Sequence, residues 1–251
     1  MSELTGRVVL VTGATGGIGA ATVRAAAAAG AVPVLAHYCE AEQAAELATE
    51  LQELVGGQPV LTVEVDVRDS AQVGDMVETV LARHGRIDVL VNNAGLMEET
   101  AFTEMTEEDW ARTIDTDLTG VFRVTRQVVP TMQAAGAGVI VSVASQLAAK
   151  GAAGYTAYCA AKAGVIGLTR ALAREVGPTV RVCAIAPGPV RTPMIEPYLT
   201  PGWVAERAGS LVAGRLATPQ EVAAAILALA GDAGALMHGQ TLHANGGGVL
   251  A

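Results

Sequence analysis

Two tyrosines three residues apart, Tyr155 and Tyr158, precede Lys162, and two serines, Ser142 and Ser145, lie a short way upstream. A tyrosine and a lysine four residues apart share one face of a helix, so Tyr158 and Lys162 can act as a pair. A free tyrosine has a pKa of about 10 and exchanges its proton poorly near neutrality. A positive charge beside it favours the phenolate and brings the group toward the range of a working acid or base. A neighbouring serine hydroxyl can hold an oxygen on which charge develops. Such a set suits proton transfer to or from a carbonyl or alcohol oxygen. A tyrosine can equally serve a core or an interface, and spacing within this cluster leaves both serines as candidates.

A second cluster lies near the start of the chain. Thr12-Gly13-Ala14-Thr15-Gly16-Gly17-Ile18-Gly19 follows an apolar run and opens an Ala-rich stretch. Glycines let the backbone turn sharply and approach a pyrophosphate, and the N–H groups of the following helix face its charge. The spacing is Gly-x-x-x-Gly-x-Gly, and a glycine cluster could serve any tight turn. Its place after the first strand of an alternating sheet is where dinucleotides bind.

The elements around these clusters alternate. Short β-branched runs at 7–12, 32–36, 60–65, 87–91, 138–143, 180–185 and 240–243 are separated by longer Ala-rich helical stretches. Near-continuous apolar strands are expected where a parallel sheet is covered on both faces. Thr106-Glu-Glu-Asp109 resembles a capping box, and Thr218-Pro-Gln-Glu221 puts proline and an acid in a first helical turn. This pattern predicts one α/β domain over 1–251, a Rossmann-like doubly wound parallel sheet of about seven strands. The stretch 187–216 departs from it, with Pro187, Pro189, Pro193, Pro197 and Pro201 and two aromatics. A substrate lid is expected around 189–215.

Composition sets further bounds. The 251 residues are 51% hydrophobic and 16% charged, which excludes disorder as the main state, and only 3% are aromatic, so the core must be aliphatic. A net charge of −9 with no basic cluster argues against a nucleic-acid partner. Apolar runs break well short of about 18 residues, so no membrane span is expected. Segment 1–10 has no signal-peptide pattern, and Cys39, Cys159 and Cys183 read as reduced thiols of a cytoplasmic protein. No metal site is expected.

Four further segments complete a pattern: Asn92-Asn93-Ala94-Gly95, Ser145, Tyr158-Cys-Ala-Ala-Lys162 and Pro187-Gly188. With the glycine turn they resemble, in order and spacing, the short-chain dehydrogenase/reductase family. Gly214-Arg215-Leu216, Thr218-Pro219 and Gly239-Gln240 with Asn245-Gly246-Gly247 look like its 3-oxoacyl-carrier-protein reductases and related carbonyl reductases. The resemblance covers essentially the whole chain. It selects Tyr158, which Lys162 follows by four, over Tyr155, and Ser145, thirteen residues before Tyr158, over Ser142. It implies an oxidoreductase moving a hydride between NADP(H) or NAD(H) and a small-molecule ketone, 3-oxoacyl group or secondary alcohol. Tyr158 is the implied acid/base, Lys162 its electrostatic partner and ribose ligand, and Ser145 the holder of the substrate oxygen. The implied cofactor contacts are Gly13, Thr15, Gly17, Ile18 and Gly19 in the turn, His37 after the second strand, and Asp66 and Val67 at adenine. Asn93, Ala94 and Gly95 would line the adenosine ribose, and Pro187, Gly188, Val190 and Thr192 the carboxamide. Asp66 has a plainer reading as the cap of the next helix.

The chain departs from the family at its fourth catalytic position, where Asp115-Thr116-Asp117-Leu118-Thr119-Gly120 places Asp117 instead of an asparagine that holds a relay water. A carboxylate there can accept from that water or pair with Lys162 directly. His37 stands where NAD-preferring relatives carry an aspartate, which favours NADP(H) over NAD(H), with Glu40 the one repulsive group nearby. An NAD-dependent alcohol dehydrogenase and a non-catalytic cofactor-binding regulator are the alternatives. The helix over 156–175 is apolar nearly all round, so a second covered face is expected, and with it a homotetramer with two-fold axes.

Overall fold

The computed structural model describes residues 4–250. Residues 1–3, which open the segment without a signal pattern, and residue 251 lie outside the described residues, as do those ends of the 1–251 domain.

Seven strands form one sheet in the order β3-β2-β1-β4-β5-β6-β7, every pair parallel. They are β1 (Val8–Thr12), β2 (Val32–His37), β3 (Leu61–Glu64), β4 (Val89–Asn92), β5 (Gly138–Val143), β6 (Val180–Ile185) and β7 (Thr241–Leu242). All seven match the sequence expectation, with ends shifted by a residue or two. At β2 the shift matters, because His37 pairs with Glu64 inside the sheet and does not follow it. Side chains alternate across the sheet. Val9, Val11 and Leu35 face a core with α1 (Gly17–Ala28), α2 (Ala41–Leu54) and α9 (Pro219–Ala230). Val8, Leu10 and Leu90 face the opposite core with α3 (Ser70–His84) and α5 (Gly120–Ala134). After the short α6 (Leu147–Lys150), the end of α7 (Thr156–Val176) joins that second core through Ala173 and Val176.

Both sequence-level helix starts form as capping boxes. Thr106 caps α4 (Glu107–Ile114) against Asp109, and Thr218 caps α9 against Glu221. The cap of α3 is Asp69, which accepts from Ala71 and Gln72 N–H, so Asp66 does not cap that helix. Between α4 and α5 the chain makes a π-helical turn, Asp115–Thr119. Such wide turns recur at functional sites because the extra residue redirects a side chain. Here the turn carries Asp117. The proline-rich stretch holds a 3-10 turn (Pro193–Tyr198) and α8 (Pro201–Gly209), where Tyr198 stacks on Trp203 at 6.5 Å.

The strand order reverses between β1 and β4, since β1 leads outward through β2 and β3 while β4 begins the other half. The crevice beyond the carboxyl ends of the strands at such a switch is where ligands of open α/β sheets lie. The glycine turn follows β1 there, the Asn93–Gly95 loop follows β4, and Ser145 follows β5.

Candidate active site

The turn after β1 is held from across the switch point. Asn93 Nδ2 donates to the carbonyls of Thr12 and Gly13 at 3.0 and 2.9 Å, and Thr12 Oγ1 accepts from the N–H groups of Asn93 and Ala94. Asn93 therefore spends its side chain on fixing the turn, a role its sequence position did not announce. Gly13 has φ +61° and a Cβ there would stand 2.9 Å from Ala94 Cα, so both conformation and closeness require glycine. The helix that follows has neither a side-chain cap nor an acid in its first turn, unlike α4 and α9. An uncapped helix start facing the crevice suits an external anion such as a pyrophosphate. The residues present fit a nicotinamide dinucleotide in this respect, and Gly13, Thr15, Gly17, Ile18 and Gly19 would hold its phosphates.

The groups at the ends of β2 and β3 are arranged differently from the sequence expectation. The His37 ring is buried, 4% exposed, with Nδ1 unpartnered. Tyr38, half exposed, is the outward group, and the Arg68 guanidinium lies 5.6 Å over its ring. Asp66 binds Arg68 at 2.7 Å, and that guanidinium holds the Asp66 carboxyl below the usual range. Arg68 was not singled out from sequence; its only signal was a basic residue two positions after Asp66. Thr15 donates to Glu40, which ties the acid to the phosphate turn.

At the other end, the two serines and the two tyrosines separate cleanly. Ser142 is a core residue of β5 that accepts from Asn92 Nδ2, whereas Ser145 lies past the strand end. Tyr155 precedes α7 and donates to Glu99 Oε2 at 2.8 Å. Tyr158 stands one turn from Lys162, whose Nζ lies 5.5 Å from the phenol ring centroid. Lys162 Nζ donates to the Val143 carbonyl at 3.1 Å and lies 2.9 Å from Asp117 Oδ1. Asp117 Oδ2 accepts from Leu96 N–H at 3.0 Å. Of the two arrangements open to Asp117, the chain has the direct pair. Its approach to Oδ1 is an ion-pair contact off the hydrogen-bonding direction.

This pair is buried, with Asp117 fully enclosed and Lys162 4% exposed. Burial opposes the charge on Lys162, but Asp117 and Tyr158 together hold its pKa above the ordinary lysine range. Burial raises the Asp117 carboxyl, against the pull of Lys162 and Leu96 N–H. Protonating it would leave the buried ammonium with only the Val143 carbonyl as partner, which favours the ionised pair. The Tyr158 phenol is pushed up by burial, lowered by Lys162, raised again by Asp117 and lowered by the Ser145 hydroxyl, with a net rise.

Val190 bridges to Ala217, which joins the loop after β6 to the far end of the proline-rich segment. Thr192 approaches the phosphate turn closely: a Cβ on Gly17 would stand 2.6 Å from its methyl. Pro187 accepts from Gln146 N–H, and Gly188 packs on the Asn245 backbone. A cavity of about 160 Å³ lies beside Gly188, Leu211, Arg215 and Asn245. Neither Ser145 nor Tyr158 lines it, so it flanks the reacting groups and does not contain them.

Comparison with known proteins agrees with this geometry. The family described as short chain dehydrogenase matches residues 7–200. The chain is 43% identical over 250 residues to a 3-oxoacyl-[acyl-carrier-protein] reductase of Thermotoga maritima, covering 99% of this chain and all of that one. It is 42% identical to the cis-4-hydroxycyclohexanecarboxylate dehydrogenase of Sinomonas cyclohexanicum, covering 96% of each. The solved structure of a short-chain dehydrogenase/reductase of glucose/ribitol dehydrogenase type from Brucella melitensis superposes with a TM-score of 0.91 at 32% identity, covering each chain completely.

Proposed function

The chain belongs to the short chain dehydrogenase family and is an NAD(P)-dependent oxidoreductase, and on that premise we propose that it reduces a ketone or 3-oxoacyl substrate with Tyr158 as proton donor. The observation that carries this reading is the set Ser145, Tyr158 and Lys162, with Ser145 and Lys162 buried, Tyr158 half-buried and the Lys162 ammonium 5.5 Å from the phenol ring centroid. A bound nicotinamide supplies the hydride. Ser145 holds the substrate oxygen and steadies charge developing on it. Tyr158 gives its hydroxyl proton to that oxygen, and Lys162 steadies the phenolate left behind. Lys162 also orients the ribose.

The remaining expected contacts belong to the same reading. Asp66 and Val67 sit at the adenine end, His37 marks the ribose side, and Ala94 and Gly95 form its floor. Pro187, Gly188, Val190 and Thr192 form the carboxamide wall, and the segment 189–215 serves as substrate lid. NADP(H) is favoured over NAD(H). Arg68, fixed by Asp66 over Tyr38, supports a 2′-phosphate better than the buried His37 does. Glu40, held by Thr15, is the observation that favours the second reading, an NAD-dependent alcohol dehydrogenase. Following NADPH and NADH absorbance in parallel over a panel of ketones and 3-oxoacyl thioesters tests the proposal. Loss of absorbance with none of them would overturn it.

A homotetramer and a cytoplasmic location complete the reading. Ala160, Ala163, Gly167 and Ala171 lie exposed along α7, and Phe122 lies exposed on α5, a surface suited to a second copy. No helix among the described residues is long and apolar enough to cross a membrane. Light scattering at micromolar protein should return about four times the 25.4 kDa chain mass; a monomer mass would remove the tetramer.

A further inference from the structure

We infer that Asp117 is a positioning residue that neutralises Lys162 and so keeps Tyr158 loaded with its proton. The inference rests on Tyr158 as the proton donor proposed above. Its basis is a direct contact: 2.9 Å between Asp117 Oδ1 and Lys162 Nζ leaves no room for a water between them. The second carboxylate oxygen is fixed by Leu96 N–H, and the ammonium is fixed on its other side by the Val143 carbonyl. Gly95 closes the space, since a Cβ there would stand 2.6 Å from Asp117 Oδ1 and 3.3 Å from Lys162 Nζ. The π-helical turn aims the carboxylate inward.

The charged and titratable groups facing Tyr158 can be named from each packed element. From α7 come Lys162 and the Cys159 thiol, and from the π-helical turn comes Asp117. The strand end of β5 contributes the Ser145 hydroxyl. Other acids near the crevice are engaged elsewhere: Asp115 lies against Arg123, Glu98 binds Arg112, and Glu99 binds Tyr155. One positive and one negative charge therefore bear on the phenol with opposite sign, Lys162 the more strongly. With an uncharged residue in place of Asp117, the ammonium, still held by the Val143 carbonyl, would act on the phenol unopposed and favour the phenolate.

The consequence is directional. In reduction the Tyr158 O–H bond breaks as the substrate O–H bond forms, and the electron pair stays on the phenolate oxygen. A phenol that keeps its proton supports this step to higher pH. Oxidation needs the phenolate as base and is confined to higher pH by the same amount.

The test is Asp117→Asn, which keeps an acceptor for Leu96 N–H and removes the charge. Rates would be read against pH in both directions, with ethyl acetoacetate and ethyl 3-hydroxybutyrate. The alkaline limb of reduction and the acidic limb of oxidation should move down together by up to about one pH unit, because both report Tyr158. Without cofactor, the ultraviolet absorbance that distinguishes the intact enzyme from Tyr158→Phe should show phenolate appearing at lower pH once Asp117→Asn is introduced. Limbs and absorbance that stay in place in an active variant would overturn the inference and leave the reductase reading intact. Should Asp117→Asn not hold NADPH, Asp117→Ser repeats the comparison; failure of both to bind would make the carboxylate structural and also overturn it. A wild-type enzyme inactive on both esters and on the wider ketone panel would sink the reductase reading, and this inference with it.

Discussion

The crevice holds two ion pairs built from the same chemistry, and they differ in how much water reaches them. Arg68 and Asp66, at the proposed adenosine end, keep 36% and 17% of their side-chain surface, whereas Lys162 and Asp117, at the proposed reacting end, keep 5% and 0%. An exposed pair is screened and worth about 0–1 kcal/mol. A buried pair gains little over an apolar core, yet removing one partner strands a charge at a cost of about 3–5 kcal/mol. The outer pair can thus vary with ligand preference at small cost to the fold. In the proposed reaction the inner pair would set the electrostatics at Tyr158, and its removal would also strain the fold.

The sharpest separation of the two ends comes from Tyr158→Phe. Turnover should fall by about a hundredfold to ten-thousandfold, the range of a lost acid/base, while cofactor binding at the outer end survives. Tyr155→Phe, which removes the bond to Glu99, should stay within a few-fold. A dead Tyr155 variant with an active Tyr158 variant would reverse the assignment.

Next in size is a stability contrast. Lys162→Met should cost about 3–5 kcal/mol near neutrality, against about 0–1 kcal/mol for Arg68→Met. The inner loss should also depend on pH. Without Lys162, burial holds the Asp117 carboxyl above its unfolded value, so stability is retained below the unfolded pKa and lost as pH rises through the folded one. Chemical denaturation at several pH values measures both costs; equal, pH-independent costs would erase the distinction between the pairs.

The smallest effect belongs to cofactor choice. Glu40→Gln should raise the NADPH to NADH ratio of kcat/KM several-fold, and Arg68→Met should lower it by a similar factor, because a single exposed charge acts through water. His37→Asp is a poor probe, since it would bury a carboxylate where the ring is 4% exposed. Ratios unmoved by either outer substitution would mean that neither charge reads the 2′-position.

Much of the fold was legible because its signals are local. Seven apolar runs became seven strands, and Thr106 with Asp109 and Thr218 with Glu221 closed as capping boxes, since each depends on residues a turn apart. The Tyr158–Lys162 pair is of the same kind, set by the helix period. The glycine turn was readable from composition and place, but not that Asn93, eighty residues on, pins it.

What the sequence determined by itself was therefore the alternating α/β order and the residue types that one helical turn or one tight turn brings together. The tertiary structure alone decided that Asp117 meets Lys162 forty-five residues away, that His37 turns inward, and that Arg68 covers Tyr38. Local geometry fixes partners three or four residues apart. Partners further away depend on which strands become neighbours, and here the β1-β4-β5 order brings the segments after those strands to one crevice, with a π-helical turn aiming the carboxylate into it.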